Sequence, residues 1–82
     1  MQIAGSPFRT RSLYAAAFLL ASDFPLLETA RDSAGRVEFI IGGAADELRT
    51  RIHEYRAGTA LVNAQRFGGE LRRLKSLVHG TD

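Results

Sequence analysis

Apolar and polar positions divide the chain into patterned stretches with different periods. LYAAAFLLA at 13–21 is apolar nearly all round. A helix without a polar face belongs in the interior, so a buried central helix is expected from about Ser12 to Ala21. Thr10 or Ser12 can cap it by accepting a backbone N–H bond. Ala15, Ala16 and Ala17 give it a small-residue surface, open to close approach by other elements or by a partner. Pro25 disfavours helical backbone at Phe24 and marks the exit.

LLETAR (26–31) and RVEFII (36–41) then flank DSAG (32–35), the pattern of a hairpin. Asp32 suits the start of the turn and Gly35 its end. In the second strand Val37, Phe39 and Ile41 share the face turned to the first helix, and Arg36, Glu38 and Ile40 share the other. Gly42-Gly43 ends the strand. Period 3.6 returns with Leu48, Ile52 and Tyr55, which predict a second helix over 45–56. Asp46 and Glu47 lie in its first turn, Arg56 in its last, Glu47 and Arg51 form an i, i+4 pair, and Gly58 is a stop. TALV (59–62) reads as a short extended piece, an edge strand. Asn63 caps a third helix over 64–79, whose stripe is Phe67, Leu71, Leu74 and Val78, widened by Leu77. MQIAGSPF (1–8) reads as a loose N-terminal arm, and 9–80 as a single domain. The layout is α-β-β-α-(β)-α, a small α+β domain with helices packed on a short antiparallel sheet.

LYAAAFLLASDFPLL, RVEFII and RRLKSLV, in that order, resemble a family of short uncharacterised proteins from bacteria, archaea and mobile elements. The likeness runs over roughly 8–79 and implies the same order of helix, hairpin, charged helix and last helix. The chain departs from the family pattern at Ile41-Gly42-Gly43, where a more aromatic and acidic strand end is expected. That family has no assigned function, so the resemblance implies a fold and no catalytic residue.

Composition adds limits. The 82 residues, 45% apolar and 24% charged, suit one small globular domain and not a disordered chain. Such a domain buries only about two-thirds of its unfolded surface. With no cysteine, no disulfide can compensate, so self-association or a partner is a natural supplement. Arg9 and Arg11 before LYAAAFLLA resemble the charged and apolar regions of a signal peptide. Yet the run is too short for a span of about 20 residues, and Leu19 or Leu20 stands where cleavage needs a small side chain. The expectation is a buried helix, no membrane segment and a cytoplasmic location.

The net charge of +2 is unevenly placed. Acids and bases balance over 1–43 and over 44–62. The excess falls in 63–82, with Arg66, Arg72, Arg73 and Lys75 against Glu70 and Asp82. On a helical wheel Arg72 and Lys75 share one flank of the last helix with His79. Arg66 and Arg73 lie on the other, within reach of Glu70. Arg72, Arg73 and Lys75, joined by Arg9 and Arg11 from the arm, are candidate phosphate contacts for weak, salt-sensitive, sequence-independent nucleic-acid binding. The alternative for this flank is an ordinary solvated helix face.

Other chemistry finds no motif. His53-Glu54 begins like a zinc-protease helix, but Ala57 stands where the second histidine is needed, so no metal is expected. Gly42-Gly43 matches no phosphate loop, and Asp46 and Glu47 would repel an anion there. Ser12, Ser22, Ser33 and Ser76 have no histidine–carboxylate partner at a recognisable spacing. No catalytic residue and no cofactor is expected. The leading reading is a non-enzymatic accessory protein, a protein-interaction module that self-associates or docks on a larger partner, with Tyr14 and Tyr55 as contact residues. Nucleic-acid binding is the second.

Overall fold

The computed structural model describes residues 7–79. It orders them as β1 (Phe8–Thr10), α1 (Leu13–Ala21), β2 (Leu26–Arg31), β3 (Val37–Ile41), α2 (Ala45–Ala57) and α3 (Ala64–Val78). α1 forms where the all-round apolar run demanded burial. Ser12 caps it, with Oγ accepting from the Ala15 N–H at 3.0 Å, and Thr10 Oγ1 accepts in turn from the Ser12 N–H. Every residue from Ala15 to Ala21 is buried. Ala15–Ala17 are therefore occupied by the fold itself and are no outward contact surface. α1 packs most extensively on α3, then on α2, and touches β1 and β3.

The exit from α1 is a Schellman motif. The Phe24 N–H donates to Leu19 O and the Asp23 N–H to Leu20 O, both at 3.1 Å. Asp23 occupies the left-handed position at φ 77°. α2 ends in the same way at Gly58, with φ 78° and the Thr59 N–H donating to Glu54 O.

The sheet is antiparallel with order β1-β3-β2. Phe39 and Ile41 point into the core with Val37 packed beside them, as alternation predicts. A bulge at Leu27 shifts the register of β2, so that Leu26 faces Ile41 and Thr29 faces Phe39. Without that extra residue Leu26 and Thr29 would lie on opposite faces. Ile40, on the outer face, is nevertheless only 3% exposed, with Arg9 and Glu28 as its ladder partners.

The third strand differs from expectation. TALV forms no strand: Ala60 and Val62 pack against the core in the connection between α2 and α3. The third strand is β1, at one edge of the sheet, formed by residues read as arm and domain start. Phe8 pairs with Ile41 and Thr10 with Phe39, and the Phe8 side chain packs on the core. Residues 1–6 of the expected arm lie outside the described residues. α3 carries its stripe inward through Phe67, Leu71, Leu74 and Val78, with Leu74 fully buried. Leu77 is 47% exposed and does not widen the stripe. Among the described residues no helix is long and apolar enough to cross a membrane.

Candidate functional site: the outer face of α3 and the α2–α3 connection

α3 forms because Asn63 caps it, accepting from the Arg66 N–H at 2.9 Å, and because its stripe is drawn onto α1. Its basic residues then divide by partner. Arg66 reaches back to Asp23 at 2.8 Å and to Leu20 O at 3.3 Å, so it seals the end of α1 and leaves Glu70. Arg73 Nη1 lies 3.2 Å from Glu70 Oε1, close enough for an ion pair but out of line for a hydrogen bond. Arg72 and Lys75 are exposed and have no acidic partner among the described residues.

The arm arginines do not join them as free cations. Arg9 projects from β1 onto Glu38 at 3.2 Å, and Arg11 lies 3.3 Å from Asp32. Both belong to the sheet end, because β1 is a strand and not an arm. Of the five candidate phosphate contacts, Arg72 and Lys75 remain together on one flank and unpaired among the described residues. Of the two aromatic contact residues, Tyr14 is 52% exposed. Tyr55 packs its ring 5.2 Å from that of Phe18 and is half-buried.

Arg51 shows what the expected Glu47–Arg51 pairing missed. Its guanidinium lies 4.8 Å from the Phe18 ring centroid, a cation–π contact. It donates to Glu54 Oε1, to Ser22 Oγ and to Leu61 O. The interior ring and the α2–α3 connection draw it away from Glu47. One consequence is that the connection is fixed although it has no secondary structure. Ala60 and Val62 anchor it from within, and Arg51 holds its central carbonyl.

That arrangement presents Leu61 outward, 85% exposed. Beside it opens a hollow of 180 Å³ lined by Phe18, Tyr55, Gly58, Ala60, Val62 and Phe67. An apolar knob thus stands on the connection whose Gly58, Ala60 and Val62 help to line an apolar hollow. Sequence periodicity could not mark Leu61, since a single leucine in a coil has no period.

A cleft of 380 Å³ lies between the end of α1 and α2, lined by Ser22, Phe24, Asp46, Glu47, Thr50 and Arg51. Asp46 is tied to Arg49 at 3.1 Å. Among the described residues no three His, Cys, Asp or Glu side chains gather as metal ligands, and His53 is exposed on α2. The chain matches no family model, no curated protein and no solved structure.

Proposed function

We propose that this chain is a non-enzymatic protein-interaction module that pairs with a second copy of itself through the α2–α3 connection. Leu61, 85% exposed with its carbonyl held by Arg51, is the observation that carries this reading. Ordering a side chain at an interface costs free energy, and a fixed backbone has met part of that cost in advance. A twofold axis beside the connection lets each Leu61 enter the hollow of the other copy, the reciprocal contact that an isologous dimer requires. Residues 58–63 carry no charge, so two copies meet there without like-charge repulsion. One knob and one hole per chain make a small interface, so the dimer is weak. A cytoplasmic location, and kinship with the mobile-element family that the sequence resembles, belong to the same reading.

Light scattering at about 1 mM chain tests it. The expected mass is that of a dimer, falling to the monomer in Leu61→Asp. At dilution, where the wild type is monomeric, thermal stability is unchanged in that variant, because the 85% exposed side chain contributes little to the core. A monomeric wild type at that concentration overturns the proposal.

A second reading rests on a separate observation, the unpaired Arg72 and Lys75. Two phosphate contacts give weak nucleic-acid binding whose affinity falls with salt. Retardation of DNA or RNA at low salt, lost in Arg72→Ala with Lys75→Ala, is the expected result. Equal retardation by the double variant removes it.

A further inference from the structure

The closed end of the hairpin carries an arrangement that neither reading uses. Its turn is built by Asp32. Oδ1 accepts from the Ala34 N–H and the Arg36 N–H at 2.9 Å each, and the Gly35 N–H donates to Asp32 O. The turn sets Arg31 and Arg36 on either side of it, and β1 brings Arg11 to the same end. The three arginines, with Leu13, Val37, Phe39 and Val78, line a pocket of 330 Å³ between the sheet, the start of α1 and the end of α3.

The charge in this pocket is not balanced. Arg11 and Arg36 share the single carboxylate of Asp32, Oδ2 lying 3.3 Å from Arg11 Nη2 and 3.2 Å from Arg36 Nε. Arg31 donates to backbone carbonyls, Gly35 O at 2.9 Å and Val78 O at 3.0 Å, and meets no acid among the described residues. The carbonyl end of α3 offsets about half a unit charge. Among the described residues, three guanidiniums therefore face one carboxylate and a partial dipole. The Asp32 carboxyl is held below its ordinary range, first by the Arg36 N–H, against some desolvation, and further by the Ala34 N–H and by the Arg36 and Arg11 charges. It is ionised at neutral pH, so the excess positive charge stands with Asp32 already counted.

We propose that this pocket binds a small amphiphilic oxyanion, a carboxylate or phosphate carried on an aromatic or branched aliphatic body. Guanidinium groups match either headgroup with paired N–H donors. The apolar floor of Leu13, Val37, Phe39 and Val78 takes the body. A phosphodiester backbone would use the arginines and leave that floor empty. The volume is at the small end of ligand sites, which suits a single-ring compound.

Amide and guanidinium NMR titration with benzoate, phenyl phosphate, inorganic phosphate and benzyl alcohol tests the site. Benzoate or phenyl phosphate is expected to saturate below about 10 mM, shifting Arg11, Arg31, Arg36 and Phe39 together. The tighter of the two assigns the headgroup. Inorganic phosphate and benzyl alcohol are expected to bind at least about tenfold more weakly, each lacking half of the recognition. Arg11→Gln weakens binding. Asp32→Asn keeps the Oδ1 acceptor that builds the turn but removes the competing charge, so it tightens binding. Absence of saturation, inorganic phosphate binding as well as phenyl phosphate, or an Asp32→Asn variant that binds no better overturns the proposal. None of these residues lies in the α2–α3 connection, so the outcome is independent of self-association.

Discussion

Gly42-Gly43 and Gly68-Gly69 are the same dipeptide in two different situations. Between β3 and α2 the fold uses both glycines. Gly42 is buried, its N–H donates to Pro25 O, and a methyl added to it would lie 3.1 Å from Leu27. Gly43 stands at φ 136°, and a methyl there would lie 2.5 Å from the Phe24 ring. In α3 the backbone is ordinary helix, and a methyl on Gly68 or Gly69 meets nothing within 4 Å. Local preference is identical in the two pairs. The first is fixed by a backbone that side chains dislike and by a ring pressed against it. The second weakens a helix with no return inside the monomer.

Gly43→Ala is the sharpest break of this contrast. Left-handed strain costs about 1–3 kcal/mol, and pressure on Phe24 adds to it. A destabilisation of at least about 2 kcal/mol is expected in urea unfolding. A neutral result would mean that the turn relaxes freely and that the two pairs do not differ.

Gly68→Ala with Gly69→Ala should act in the opposite direction. Each alanine removes about 0.5–1 kcal/mol of helix cost, so the pair gains about 1–2 kcal/mol. In thermal unfolding that is a rise of roughly 4–16 °C for a domain of this size. A loss of stability would reveal packing on that face that the open space does not show. Gly68 lies on the flank of Arg72 and Lys75, about 20° from the second and about 40° from the first at 100° per residue. The same variant therefore bears on function: if nucleic acid approaches this backbone, low-salt retardation weakens although the fold is firmer.

The contrast also explains what the sequence could and could not show. The three helices and the hairpin were legible because each carries its own period or cap: the apolar run of α1, the alternation of β3, Asn63 before α3. β1 was not legible, since three residues after Pro7 have no period and become a strand only by pairing with β3. The stripe of α3 was legible, but the exposure of Leu77 is set by tertiary packing and not by the spacing of the stripe. The oxyanion pocket was the least legible of all. It exists because Arg31 meets Val78 O across 47 residues of chain, and no spacing along the sequence encodes that meeting. Arg51 likewise had a local partner available in Glu47 and was drawn off it by Phe18, Ser22 and Leu61.

The exit from α1 supplies a third case, a left-handed position without glycine, and the smallest expected effect. Asp23 sits at φ 77°, where Gly58 sits at the matching place after α2. For an aspartate this backbone costs roughly 1–2 kcal/mol at most, since its short polar side chain tolerates it better than most. In return its carboxylate meets Arg66 at 2.8 Å, but Asp23 is 79% exposed there, and such pairs contribute about 0–1 kcal/mol. Glycine also adds freedom to the unfolded chain, which offsets part of the relief. The strain is the larger quantity, so Asp23→Gly is expected to stabilise by less than about 1 kcal/mol. Pairing it with Arg66→Ala in a double-mutant cycle separates the two contributions. If Asp23→Gly destabilises, and the cycle assigns the loss to Arg66, then the ion pair and not the backbone governs this turn. Arg66 would then be the residue that fastens α3 to the end of α1, and the left-handed aspartate would be retained for its charge.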